Sequence, residues 1–205
     1  MDPANHLTSE EQIDELYGKP VSRSITKEIE RLNTPYRRFI ELSPFCMIAS
    51  CGPEGMDVTP RGDPAPVARV VDDRTLMLPD RRGNNRADTL RNLVRDDRIS
   101  LIFMIPGSGS TVRVIGRAVV SVDPDLISTF EMKEKLPRSV IIVTIERVYF
   151  HCVKAFHRAQ LWDTMTWPDP SEVPTAGEMV KAVEPQFDAD AYDAGYPEHM
   201  AKTIY

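Results

Sequence analysis

The stretch ISLIFMIPGSGSTVRVIGRAVVS, residues 99–121, decides the fold. Ile99 to Ile105 is a short apolar run of strand-forming residues, Pro106-Gly107-Ser108-Gly109 is a loop, and Thr111 to Ser121 is a long strand. The same texture continues on both sides. Upstream, Phe45 to Cys51 reads as a strand ended by Gly52-Pro53-Glu54-Gly55, with Met56 to Pro60 as its hairpin partner and Arg61-Gly62-Asp63-Pro64 as a tight connection. Val67 to Val71 and Thr75 to Leu78 are two more short strands, joined across Asp72-Asp73-Arg74. Downstream, Val140 to Phe150 is dominated by Val, Ile and Tyr. One clear helix intervenes: Asn84 or Asn85 can cap it, and Ala87, Leu90, Leu93 and Val94 form its buried stripe. A short helix is expected around Pro124 to Lys135. Strands at this close spacing, with so few helices between them, predict a mainly β fold with flanking helices. A six-stranded antiparallel barrel is favoured over a doubly wound parallel sheet, because closure removes the edges such strands would expose.

Three segments follow. Residues 1–43 read as a helical extension: Thr8-Ser9-Glu10-Glu11 resembles a capping box, and Ile25, Ile29 and Leu32 stand at helical spacing. Pro35 interrupts that pattern, and a short third helix is expected from Tyr36 to Leu42. Residues 44–163 form the barrel. Residues 164–205 are an acidic tail whose aromatics, Trp167, Phe187, Tyr192, Tyr196 and Tyr205, exceed what a disordered tail holds, so it is expected to pack on the barrel or on a partner subunit.

No apolar run approaches the ~20 residues of a membrane helix, and the polar, acidic N-terminus argues against a secretory signal. Three cysteines make no disulfide framework, and the odd count points to reduced thiols and a cytoplasmic setting. The net charge of −6 in 205 residues speaks against a nucleic-acid role, but the charge is segregated. Residues 1–60 carry 6 basic and 10 acidic residues, residues 61–162 carry 17 and 12, and residues 163–205 carry 2 and 9. The middle is basic and rich in arginine, either as a solvated face or as a seat for a small anion such as phosphate.

The chemistry concentrates in Leu78-Pro79-Asp80-Arg81-Arg82-Gly83-Asn84-Asn85-Arg86, a strand end, a turn and a helix start. A helix N-terminus carries partial positive charge and repels arginine, yet three arginines are placed there. A bound phosphate resolves the conflict, and so does neutralisation by Asp80 and Asp88. Arg69 shares a face with Val67 and Val71 and needs a carboxylate or a phosphate as partner. Thr111, Arg113 and Arg117 share one face of their strand, which lines a polar cleft or is wet surface, while Gly116 marks a bulge or a close approach. Beyond Phe150, helical spacing aligns Lys154 with Arg158 and brings Arg158 near Trp162, which suits an anionic or planar aromatic ligand. Cys46, Cys51, Cys152 and His151 form no metal-binding spacing, Gly107-Ser108-Gly109 lacks the rest of a dinucleotide fingerprint, and no nucleophile-elbow motif occurs.

Three motifs in order, RGDPAPVARVVDDRTLMLPDRRGNNRADTLRNL, STVRVIGRA and VYFHCVKAFHRAQLWD, resemble the pyridoxamine 5′-phosphate oxidase-related family of FMN-binding proteins, and within it a bacterial subgroup of FMN-dependent enzymes. The resemblance runs from about Pro44 to Asp163. It implies an FMN-binding split β-barrel, a homodimer with two flavin sites at the interface and a small-molecule substrate. Carried over by position, it implies that Arg69 contacts the flavin phosphate region and that Asn84, Asn85 and Arg86 stand in the phosphate-binding turn, with Asp80 where a threonine is usual. Thr111, with Ser110 before it, and Arg113 approach the ring or ribityl chain, Trp162 resembles the late tryptophan near the flavin, and Lys154 and Arg158 shape the substrate side. Asparagines replace two members of the phosphate turn, so Arg81, Arg82 and Arg86 are alternative holders of the phosphate. The arginine-leucine-proline substrate motif of the authentic oxidases is replaced by the acidic tail, which separates this chain from pyridoxamine phosphate oxidation itself. No catalytic acid or base is identified. The expected activity is that of a flavin-dependent oxidoreductase, with a non-catalytic flavin storage or sensing protein as the alternative.

Overall fold

The computed structural model describes residues 3–205. Among them, seven strands form one antiparallel sheet: β1 (Phe45–Gly52), β2 (Gly55–Gly62), β3 (Arg69–Val70), β4 (Thr75–Pro79), β5 (Arg98–Met104), β6 (Thr111–Ser121) and β7 (Val140–His151). Their order is β2-β1-β5-β6-β7-β4-β3, with every neighbouring pair antiparallel. The sheet therefore has one strand more than the six expected, and its edges, β2 and β3, are not joined by a ladder among the described residues. The physical reason lies in the edge strands: β3 has only two residues, and β2 carries Pro60, which contributes no N–H donor.

One face of the sheet is the core. Cys46, Ile48, Leu101, Phe103, Val112, Val114, Val143, Ile145, Leu76 and Leu78 are all buried on it, as strand alternation requires. Against it pack α3 (Thr34–Glu41), through Tyr36 and Ile40, and α4 (Asp88–Arg95), through Leu93. Pro35 does not break the helical pattern here; it stands in the first turn of α3, where its missing N–H costs nothing, behind Asn33 as cap.

Gly116 explains how β6 and β7 stay paired. Ile115 faces Arg147 but Gly116 faces Ile145, so Glu146 is the extra residue of a bulge. A Cβ at position 116 would stand 2.0 Å from the Thr144 carbonyl oxygen. The bulge and the close approach expected from the sequence occur together.

Three helical expectations change. The helix predicted from Ser24 stops early: α2 spans Ser22–Thr26, and Ile29 instead exchanges backbone hydrogen bonds with Val148 of β7 (3.0 and 2.7 Å). The helix expected over Pro124 to Lys135 is only α5 (Pro124–Ser128), because Met132 and Lys135 close a two-residue turn instead. The clear central helix begins at Asp88, so neither Asn84 nor Asn85 caps it, and Ala87 and Val94 point to solvent while Thr89, Asn92 and Leu93 are buried. Asn92 reaches Ser50 of β1 across that interface (3.1 Å). The tail is helical in part. Beyond α1 (Glu10–Tyr17), capped by Ser9, and α6 (Lys154–Ala159), the chain ends in α7 (Ala176–Lys181) and the fifteen-residue α8 (Ala189–Thr203), which runs through Pro197. No helix among the described residues is long and apolar enough to cross a membrane.

Candidate functional site

Between β4 and α4, residues 80–87 form the basic turn. Its backbone is anchored where Asp80 N–H donates to Ser139 O (2.9 Å). The Asp80 carboxylate lies 3.5 Å from Arg61, and burial pushes its pKa up against the pull of Arg61 and Arg138. Arg81 turns inward. Its Nε donates to Asp63 at 2.8 Å and its Nη1 to the Phe130 carbonyl at 2.7 Å, with 16% and 5% of the Arg81 and Asp63 side chains exposed. This arginine is therefore a structural strut with a buried counter-ion.

The remaining turn residues are exposed. Asn84 Oδ1 accepts the Arg86 N–H (3.0 Å), and Asn85 Oδ1 accepts from Arg138 (3.0 Å). Arg86 Nε lies 2.6 Å from Asp88. Asn85 (φ 64°) and Ala87 (φ 56°) both adopt left-handed backbone, and Ala87, as N-cap of α4, offers its N–H groups no side-chain partner. Left-handed Ala is unfavourable by itself, so the turn stores strain at an open helix N-terminus.

Among the described residues Arg69 reaches neither a carboxylate nor this turn. Its guanidinium donates to Thr129 Oγ1 (2.8 Å) and Thr129 O (2.6 Å) and stacks 3.7 Å above the Phe130 ring. The loop after α5 thus serves both arginines: Phe130 gives its ring to Arg69 and its carbonyl to Arg81. Sequence reasoning misses Thr129, Phe130, Asp63 and Arg138 as site residues, and the carbonyl contacts leave no side-chain signal to find.

On the other sheet face, Met47, Ile102, Arg113 and Tyr149 stand in one cross-strand row, and Arg113 donates to the Tyr149 hydroxyl at 2.9 Å. Thr111 is buried in the next row, between Met104 and His151. Arg117 lies on the same face but is tied to Asp97 and Glu146, at 2.6 and 2.9 Å, as exposed surface.

A third group forms a cavity of about 470 Å3 whose lining includes Gly109, Phe156, His157, Arg158, Trp162 and Asp163. Trp162 stacks on Phe156 (5.8 Å, 27°) and donates its indole N–H to Ser108 O (2.8 Å). Arg158 and Trp162 are thus brought to one cavity; Lys154 begins the same helix, is exposed, and does not line it. Among the described residues no hydrogen bond or ion pair links this cavity to the basic turn. No three His, Cys, Asp or Glu side chains among them are grouped to hold a metal.

The family model described as pyridoxamine 5′-phosphate oxidase matches residues 32–152. No curated protein matches the chain. Among solved structures, HupZ from Group A Streptococcus is 16% identical with a TM-score of 0.47, covering 57% of this chain and 91% of its own. A candidate pyridoxamine 5′-phosphate oxidase from Lactobacillus delbrueckii is 21% identical with a TM-score of 0.48, covering 59% and 95%. An F420 reductase is 14% identical with a TM-score of 0.42, covering 58% and 98%.

Proposed function

Because this chain belongs to the pyridoxamine 5′-phosphate oxidase family, we propose that it is a cytoplasmic FMN-binding flavoprotein, a split-barrel homodimer that acts as an oxidoreductase on a small molecule. The observation that carries this reading is the strained turn at the uncapped start of α4. Two left-handed residues, an open row of helix N–H groups and Arg86 together suit a phosphate monoester. Asn84, Asn85 and Arg86 would hold that phosphate, and Arg69 would join them only by leaving Thr129 and Phe130. Asp80 opens the turn beside this seat, its carboxylate 3.5 Å from Arg61.

Arg113 and Thr111 would approach the ring or the ribityl chain from the outer sheet face. That face also carries Met47 and Ile102, apolar and only half-buried, which supports a second subunit covering it. The aromatic wall of Trp162 and Phe156, in a cavity that Arg158 also lines, suits a planar, anionic substrate, and Lys154 adds charge on the same helix. Bound FMN supplies the electron-transfer chemistry, while these residues anchor, orient and exclude water. A flavin carrier without turnover uses the same phosphate seat and differs only on the substrate side.

Arg86 is the cleanest test because its side chain is 78% exposed and replacing it leaves the core untouched. Arg86→Ala is expected to weaken FMN binding about tenfold or more at unchanged melting temperature, read by flavin fluorescence. Wild-type affinity in the variant moves the phosphate elsewhere, and wild-type protein that takes up no FMN ends the flavin reading. Anaerobic reduction by NADH or NADPH separates enzyme from carrier.

A further inference from the structure

Behind the basic turn lies a separate cavity of about 380 Å3, walled by Arg81, Arg82, Lys135, Leu136, Arg138, Lys202 and Tyr205. Five of these seven are cations, and no carboxylate side chain lines the cavity. They come from three parts of the chain: the turn, the loop between α5 and β7, and the end of α8. Two are neutralised nearby, Arg81 by Asp63 and Lys202 by Glu198 one turn back on its helix. Arg138 is held by the amide oxygen of Asn85, with Asp80 in electrostatic reach. Arg82 and Lys135 have no ion pair among the described residues.

Like charges gathered around one hollow repel one another unless an anion joins them. The acidic tail would be expected to bring that anion as Asp or Glu. It brings the opposite. Nine acidic residues lie in residues 163–205 against two lysines, yet the tail's contribution to this wall is Lys202 and Tyr205. Tyr205 is clipped in place by its hydroxyl on Asp63 (3.3 Å), with Lys133 4.9 Å from its ring. The tail therefore completes the cavity without bringing a carboxylate side chain to it.

We propose that this cavity binds a diphosphate group, with Arg82, Lys135, Arg138 and Lys202 as its charge partners and α8 as its closing wall. A diphosphate matches both the number of cations and their spread over three elements, where a single carboxylate would leave most of them unpaired. The group can be free pyrophosphate or the diphosphate bridge of a nucleotide. The proposal does not rest on flavin binding: Arg82, Lys135 and Lys202 stand outside the seat proposed at Asn84, Asn85, Arg86 and Arg69, and Arg138 touches that seat only through the Asn85 amide.

The test is calorimetric titration of the full-length protein, at constant ionic strength, with pyrophosphate, ADP and NADPH in parallel. Wild-type protein is expected to bind at least one of them at one per chain. Binding of pyrophosphate alone identifies a free-anion site, and tighter binding of ADP or NADPH identifies a nucleotide. Lys135→Glu/Lys202→Glu is expected to weaken that binding about tenfold or more while FMN uptake, the control for folding, is unchanged. Absence of wild-type binding, equal binding by the variant, or competitive displacement of the diphosphate by FMN each overturns the proposal. Should the protein take up no FMN, cooperative melting replaces it as the folding control, so failure of the flavin reading and failure of this one remain distinct.

Discussion

Cys46 and Cys152 show how differently two identical side chains are set by position. Cys46 is fully buried on the core face of β1, and burial pushes its thiol up to about 12, against a small opposing pull from Arg61. Cys152 is exposed just past β7. An alkylating reagent at mildly alkaline pH is therefore expected to modify Cys152 first and Cys46 only on unfolding, which peptide mass mapping reads; early labelling of Cys46 would contradict its burial. The unfolded thiol ionises near 9 and the folded one near 12, so Cys46 favours the folded state fully below about 9, and that contribution is lost as pH rises from about 9 to about 12. At the same scale Arg81 marks where sequence reading stops. Its charge and place in the turn were legible, but its burial against Asp63, eighteen residues earlier, was not, because that partner is chosen by how the chain folds back.

At the scale of elements, β2 is the strand whose polarity runs against its neighbours. Asp57, Thr59 and Arg61 are its half-buried residues, while Met56 and Val58 are exposed, Met56 to 78%. With Met47 and Ile102 half-buried on the strands beside it, the outer face offers an apolar strip of the kind a second subunit covers. If the homodimer uses this face, Ile102→Glu is expected to give a monomer by sedimentation velocity while the inner core, and so the strand signature in circular dichroism, persists. A variant that stays dimeric would put the interface elsewhere. The strands were largely legible because period-two alternation is local. The start of α4 was not: two asparagines look like caps, but left-handed backbone at Asn85 and Ala87 delays the helix to Asp88.

At the scale of the molecule, the core runs from Leu32 to Val148 and owes nothing to the tail. The tail holds itself together. Asp193 of α8 accepts from the Thr175 hydroxyl and from the Gly177 N–H (2.9 Å), and Phe187, Tyr192, Tyr196 and His199 form a ladder of rings. Removing residues 164–205 is therefore expected to leave a cooperatively melting β domain that has lost diphosphate binding, as the missing Lys202 and Tyr205 open the cavity. Loss of cooperative melting would show instead that the tail belongs to the folding unit.

The sequence by itself determined the antiparallel strand content, an irregularity or close approach at Gly116 and the basic character of the turn, since alternation, a missing Cβ and local charge are written along the chain. Only the tertiary structure decided that the sheet has seven strands with β2 and β3 at its edges, and that Arg69 turns to Thr129 and Phe130. It alone paired Arg81 with Asp63 and carried Lys202 and Tyr205 to the basic turn. These are pairings between distant segments, and loop closure and packing choose among partners that a linear pattern leaves equivalent.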